Sequence, residues 1–377
     1  MHAPSLIRLR SVLQDHIDRG ILPGAVALVH HRCQTLLHEA LGAQAPGAGA
    51  PAMAADSIFR IYSMTKPVVS LVTLMLMEEG RLPLSHPVAR YLPSFAGQGV
   101  FDPATGGTVT VRREATVHDL LRHTAGLSYA WDTGPVAQAY IGARIGSRRD
   151  GNAALAKAIG ALPLLHQPGS CWEYSRATDV LGALLEVVEG EPLGAILQRR
   201  VFGPLQMRDT GFHVPAEQMH RLAEPFARDP QTGAEVTLND VSRPATFESG
   251  GGGLVSTAGD YARFARLLLA GGALDGVRLA SRATVAFMAA DHLGAGIPAA
   301  GDILPEGYGF GLGVAVRRAA GLAPHAASVG QYGWSGMGGT FFLVDPAEDL
   351  VAILLTQAPG QLRYLCELYP ALVYAAL

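Results

Sequence analysis

Lysine is scarce in this chain: of its 29 basic residues only Lys66 and Lys157 are lysines, and the rest are arginines. One of the two stands three positions after a serine, in Ser63-Met64-Thr65-Lys66, where an apolar run begins. With so few lysines a chance Ser-x-x-Lys is expected roughly 0.09 times in the chain, so the spacing is informative. On a helix, residues three apart share a face, which brings Lys66 Nζ within reach of Ser63 Oγ. A serine hydroxyl is a weak nucleophile until a neighbouring base takes its proton, and a lysine in a desolvated cleft loses part of its preference for the charged form. A serine at a helix N-terminus also has the positive end of the helix dipole where an oxyanion would develop. The same four residues would serve equally as a serine N-cap followed by an exposed lysine, so alone they leave both readings open.

Two further segments bear on that choice. Tyr174, in Cys171-Trp172-Glu173-Tyr174-Ser175, sits just before a predicted helix, and a phenol held near cations can relay a proton. Alone it would more often be a packed aromatic. In Tyr332-Gly333-Trp334-Ser335-Gly336-Met337-Gly338-Gly339, glycines leading into a strand let the backbone approach a substrate and offer an N–H to an oxyanion.

The elements that must position these residues are legible from periodicity. Leu6, Leu9, Leu13 and Ile17 recur at helical spacing, with Gly20 where a C-terminal cap belongs. Residues 24–29 and 34–39 read as a hairpin, and residues 339–344 and 350–355 as a second one around Asp345-Pro346-Ala347-Glu348-Asp349. A strand over 309–316 should precede it. Helices are predicted over 65–79, 116–122, 177–189, 193–202 and 260–269. Residues 130–151, with Trp131 and Tyr140, are poorly periodic and read as a lid or a surface loop. Strands at both termini with helices between them imply an α/β fold of the α+β type, with one antiparallel sheet flanked by helices. We expect residues 1–80 and 250–377 to form that α/β domain and residues 81–249 a mostly helical insertion, with the cleft between them.

Composition excludes other classes. Hydrophobic residues make up 49% and charged residues 16% of 377, which supports a buried core and rules out disorder driven by polarity. The net charge of −3 argues against a nucleic-acid or membrane-surface partner. No apolar stretch is both long and free of Pro and Gly, and no secretory signal stands at the N-terminus, so a cytoplasmic location is expected. Cys33, Cys171 and Cys366 are far apart and form no C-x-x-C, which reads as free thiols. The 13 histidines include no His-Glu-x-x-His, and they read as surface or core groups rather than metal ligands. Gly-x-Ser-x-Gly is absent, which disfavours a Ser-His-Asp lipase.

Taken together, the segments resemble the class C β-lactamase-like serine hydrolases, most closely the family VIII carboxylesterases, along nearly the whole chain. Ser63-Met64-Thr65-Lys66 is similar to the family's nucleophile motif, and Leu120-Leu121-Arg122-His123-Thr124-Ala125-Gly126-Leu127 to its structural stretch. Tyr174-Ser175-Arg176 resembles its Tyr-x-Asn element, Gly250 to Thr257 its Gly-rich segment, and Gly307 to Gly313 a strand-leading repeat. The resemblance implies a β-lactamase/transpeptidase-like fold. It implies Ser63 as nucleophile, Lys66 and Tyr174 sharing the base and acid roles, and the N–H groups of Ser63 and Met337 as oxyanion hole. No cofactor and no metal are implied.

The departures narrow the substrate. Where β-lactamases and penicillin-binding proteins carry Lys-Thr-Gly, this chain has Trp334-Ser335-Gly336, and Lys157 lies far from that motif. The missing cation would hold a β-lactam or peptide carboxylate, whereas Trp334 offers a flat apolar wall. The asparagine of Tyr-x-Asn is Arg176, which puts its amide contacts in question. The expectation is a serine carboxylesterase acting on small uncharged acyl esters through an acyl-Ser63 intermediate. Trp334, Ser335 and Gly336 would contact the substrate, and Trp334, Trp131 and Tyr174 would wall the cleft. A β-lactamase, D-alanyl peptidase or acyltransferase of the same superfamily is the alternative, and a non-catalytic penicillin-binding-like module the reading from another class. A homo-oligomer is compatible with the sequence.

Overall fold

The computed structural model describes residues 1–377, the side chain of residue 3 excepted. Seven antiparallel strands form one sheet in the order β2-β1-β13-β12-β11-β10-β9. β1 (Gly24–His31) and β2 (Gln34–Gly42) come from the N-terminal end. β9 (Tyr308–Phe310), β10 (Ala315–Arg317), β11 (Tyr332–Gly336), β12 (Thr340–Asp345) and β13 (Leu350–Thr356) come from the C-terminal end. The two ends join where β1 pairs with β13, Ala25 opposite Thr356 and His31 opposite Leu350.

The central strands show why the sheet is covered on both faces. β13 is buried at every position, as its continuous run Leu-Val-Ala-Ile-Leu-Leu requires. Side chains alternate across the pleat: Val351, Ile353 and Leu355 join one core, while Leu350, Ala352 and Leu354 join another. α1 (Ala3–Asp18) and α10 (Leu362–Tyr374) close the second core through Leu9, Leu13, Leu365 and Tyr369. α8 (Ala258–Leu269) covers the first through Tyr261 and Phe264, and α2 (Thr65–Glu78) lies in the same core, buried from Thr65 through Leu76. α2 is thus enclosed on all sides and not only along the stripe Val68, Leu71, Val72, Met75 and Leu76 that an amphipathic helix would bury.

Residues between the two groups of strands carry α3 (Val117–Leu121), α4 (Pro135–Gly142), α5 (Asn152–Gly160), α6 (Ala177–Glu189) and α7 (Leu193–Leu197). α9 (Arg282–Met288) follows α8. Three two-stranded ribbons lie outside the main sheet: β3 (Phe59–Arg60) with β6 (Val255–Ser256), β4 (Gly99–Phe101) with β5 (Thr108–Thr110), and β7 (Ala273–Leu274) with β8 (Val277–Arg278). No helix is long and apolar enough to cross a membrane among the described residues.

Three expectations change in detail. The strand over 309–316 is a hairpin, because Gly311 N–H bonds Val314 O and Gly313 turns at a φ of +89°, which sets β9 and β10 antiparallel. The helix over 193–202 is α7 continued by a π-helical turn, Gln198–Phe202. The stretch 130–151 contains α4, started by Pro135 and packed through Val136, Ala137 and Tyr140.

Candidate active site

Ser63 lies in a 3-10 turn, Tyr62–Met64, directly ahead of α2. α2 has no side-chain cap and Lys66 is fully buried, so the N-cap reading of Ser-x-x-Lys does not hold. Tyr62 reaches the turn with a φ of +44°, a left-handed conformation that costs energy for an aromatic residue and persists only where the surroundings enforce it. Its neighbours do so. Ile61 N–H bonds Leu254 O at 3.0 Å, Tyr261 Oη donates to Met64 O at 2.8 Å, and Asn239 N–H donates to Tyr62 Oη at 3.0 Å.

The edge of β11 lies directly on this turn, which two glycines permit. A Cβ at Gly336 would overlap the Ile61 carbonyl, and one at Gly338 would stand 2.9 Å from the Tyr62 ring. Met337 N–H and Ser63 N–H have no backbone partner among the described residues.

Lys66 Nζ has three acceptors: Gly251 O at 2.7 Å, Tyr129 Oη at 3.1 Å and Ser63 Oγ at 3.2 Å. These match the three N–H donors of an ammonium group, and no carboxylate pairs with Lys66 among the described residues. Tyr174 Oη bonds Ser63 Oγ at 2.7 Å and accepts Trp334 Nε1–H at 3.2 Å. Lys66 Nζ also stands 4.5 Å from the Tyr174 ring centroid. The structure therefore brings Ser63, Lys66, Tyr174 and Trp334 into one hydrogen-bonded group.

Tyr174 is fixed by the segment before α6 and by His123. His123 O accepts from Glu173 N–H at 2.9 Å, and its Nδ1 accepts from Ser175 N–H at 3.2 Å. Its ring lies 5.0 Å from that of Tyr174. Burial first, and then the Lys66 charge, lowers the His123 pKa well below its usual value, so a neutral imidazole fills this place.

The other predicted residues fall as follows. Trp334 is buried against Tyr174 and Phe310. Ser335 projects to the face of the sheet opposite Trp334, so only its backbone borders the Ser63 side. Trp131 is 56% exposed and stacks on Tyr129 at 3.8 Å. Arg176 pairs with Asp179 at 3.0 Å. Lys157 lies on α5, and the three cysteines are free thiols.

Two partners of Lys66 escaped the sequence reading. Tyr129 lies three residues after Gly126 in the Leu-Leu-x-His stretch, and its hydroxyl is held neutral because burial, together with the negative charge Tyr174 and Asp179 would present, pushes its pKa well up. Gly251 contributes a main-chain carbonyl, a group that residue type does not reveal.

Comparison with known proteins gives the family and supports the fold. The Beta-lactamase family model matches residues 9–377, and the chain belongs to that family. Esterase EstB of Burkholderia gladioli is 35% identical over 375 residues, covering 93% of this chain and 89% of the relative. Protein Rv1367c of Mycobacterium tuberculosis is 37% identical over 370 residues, covering 92% and 88%. The solved structure of EstCE1, described as a hydrolase with promiscuous acyltransferase activity, superposes with a TM-score of 0.83 at 29% identity, covering 99% of this chain and 98% of that one. The chain is a β-lactamase-fold member of the serine hydrolase superfamily.

Proposed function

We propose that the protein is a serine carboxylesterase of the family VIII type that hydrolyses small, uncharged acyl esters. The observation that carries this reading is the convergence on one hydroxyl: Ser63 Oγ is hydrogen bonded to Tyr174 at 2.7 Å and to Lys66 at 3.2 Å. In the acylation step Ser63 Oγ attacks the ester carbonyl while its proton passes to Tyr174 Oη, which enters the step as a phenolate beside the Lys66 ammonium, and the N–H groups of Ser63 and Met337 receive the oxyanion. Tyr174 returns the proton to the departing alkoxide, leaving acyl-Ser63. Water then attacks, giving up its proton to Tyr174, and as the bond from the acyl carbon to Ser63 Oγ breaks Tyr174 passes that proton to Oγ, releasing the acid and regenerating Ser63.

Trp334 supports the uncharged substrate class. It occupies the place of the lysine that anchors a carboxylate, and its Nε1–H is spent on Tyr174, so that edge offers an apolar face and no cation. EstB is by name an esterase, which favours the same class. The acyltransferase activity in the description of EstCE1 favours a second outcome for acyl-Ser63, capture by an alcohol in place of water.

Hydrolysis of p-nitrophenyl butyrate by the wild type and by Ser63→Ala tests the proposal. The expected loss in the variant is about 10⁴-fold or more in kcat. Equal turnover in both would show that another group is the nucleophile.

A further inference from the structure

Arg176 and Asp179 form an ion pair in the first turn of α6 that the hydrolytic mechanism leaves without a role. We propose that this pair is a positioning device for Lys66, acting through the Gly251 peptide and the Tyr129 ring; the inference rests on the esterase reading above.

Residues 250–253 are four glycines in succession, the sequence with the greatest backbone freedom. Yet the shortest of the three Lys66 hydrogen bonds, 2.7 Å, ends on the carbonyl of Gly251. Something must hold that carbonyl: its own peptide is tied by Gly252 N–H to Ser249 O at 3.2 Å, and Asp179 in turn holds Ser249 and the N–H of Gly251 on either side of Gly250. Asp179 Oδ1 accepts from Ser249 Oγ at 2.5 Å and from Gly251 N–H at 2.9 Å, so one carboxylate oxygen staples the entry of the glycine run. Glycine is required for the approach, since Thr178 O would stand 2.6 Å from a Cβ at Gly250 and Asp179 Oδ2 2.9 Å from one at Gly251.

A fully buried carboxylate is costly without a counter-charge, and Arg176 supplies it through Nη1 at 3.0 Å from Asp179 Oδ2. The same guanidinium lies 5.0 Å from the centroid of the Tyr129 ring, whose hydroxyl is the second acceptor of Lys66. Each end of the pair therefore fixes one acceptor: Asp179 the Gly251 carbonyl, Arg176 the Tyr129 phenol. Where the related motif has an asparagine beside the tyrosine, this chain has an arginine that reaches Lys66 only through its neighbours.

The test compares Asp179→Ala with Asp179→Asn, using p-nitrophenyl butyrate and the rate at which a fluorophosphonate labels Ser63. Asparagine keeps an oxygen for Gly251 N–H, alanine does not, and both abolish the ion pair. The expectation for Asp179→Ala is a fall in kcat of at least about tenfold with KM within about threefold of wild type, and a smaller fall of about threefold in Asp179→Asn, which keeps the oxygen for Gly251 N–H and loses only the charge that holds Arg176 against Tyr129. Labelling should slow in parallel. Equal kcat in the two variants would overturn the proposal, because an ion pair that merely anchors α6 is lost in both. Should neither variant fold, Gly251→Ala decides: its Cβ displaces the peptide from Asp179 with every charge intact, and kcat within about threefold of wild type would overturn the positioning role. Wild-type turnover that depends on Ser63 but is indifferent to these changes removes this inference and leaves the esterase reading standing. A wild type that neither hydrolyses the ester nor takes up the fluorophosphonate removes both.

Discussion

The two ends of α2 treat charge in opposite ways. At the N-terminal end Lys66 is buried among neutral acceptors, two hydroxyls and one carbonyl. About 20 Å away, given the helical rise, the C-terminal end meets a lattice of ion pairs. There Arg200 bonds Glu79 at 2.7 Å and Glu189 at 3.0 Å, while Arg81 and Arg199 also contact Glu189. Burying a cation without a counter-ion costs stability, whereas opposed charges in good geometry offset each other's desolvation. The fold leaves Lys66 without a carboxylate where Ser63 is; Arg317, buried on β10, also lacks one among the described residues, but its guanidinium is met by the carbonyls of Ala319, Ala320 and His325. A positive charge whose field is not cancelled by a carboxylate favours negative charge developing on Ser63 Oγ and on an oxyanion nearby; a paired one does not.

The sharpest way to break this contrast is to remove the unpaired cation. Lys66→Met keeps the buried stem and deletes the charge, and kcat for p-nitrophenyl butyrate is expected to fall about 10³-fold. Circular dichroism should show the fold retained. Turnover within about tenfold of wild type would mean that Tyr174 alone serves Ser63 and that the neutral surroundings of Lys66 have no chemical purpose.

A smaller effect is expected from the hydrogen bond that orients Tyr174. Trp334→Phe keeps the apolar wall but removes the Nε1–H donor 3.2 Å from Tyr174 Oη. We expect kcat to fall about tenfold with KM little changed. A change in KM alone would assign Trp334 to substrate packing and detach it from the proton path.

The same contrast explains what the sequence disclosed. Ser63 and Lys66 were legible because lysine is rare here and their spacing is local. Tyr174 and Trp334 came from motif resemblance, with their mutual hydrogen bond supplied by the fold. The sheet was readable because β1, β12 and β13 carry strong apolar runs between turn residues, while β9 and β10 were merged because Gly311 and Gly313 interrupt a run without changing its composition. Tyr129 and Gly251 stayed hidden for a physical reason: the first is one aromatic in an irregular stretch, and the second acts through its main chain. Asp179 likewise reads as an ordinary first-turn acid until the fold places Ser249 and Gly251 against it. Two of the ion pairs at the far end of α2, Arg81–Glu189 and Arg200–Glu79, join residues more than 100 positions apart, and no local pattern announces them.

The smallest predicted effect lies at that far end and concerns stability. Burial acts to raise the Glu189 carboxyl, but hydrogen bonds from Arg200 and Arg199 outweigh it and hold its pKa at about 2, against an ordinary 4.5. A carboxylate depressed in the folded state stabilises it fully above the unfolded value and loses that contribution as pH falls through the folded one. The Glu189 share should therefore disappear between about pH 4.5 and pH 2. Glu189→Gln deletes the charge and leaves three arginines sharing Glu79 and Glu191, so its melting temperature at pH 7 is expected to lie a few degrees below that of the wild type. Because nothing at this end touches Ser63, kcat at pH 7 should stay within about twofold of wild type. The gap in melting temperature should narrow as the pH is lowered through the window. A gap that persists at pH 2 would assign the stabilisation to packing of the side chain, and a large loss of kcat at pH 7 would mean that the two ends of α2 are coupled, contrary to the separation drawn here.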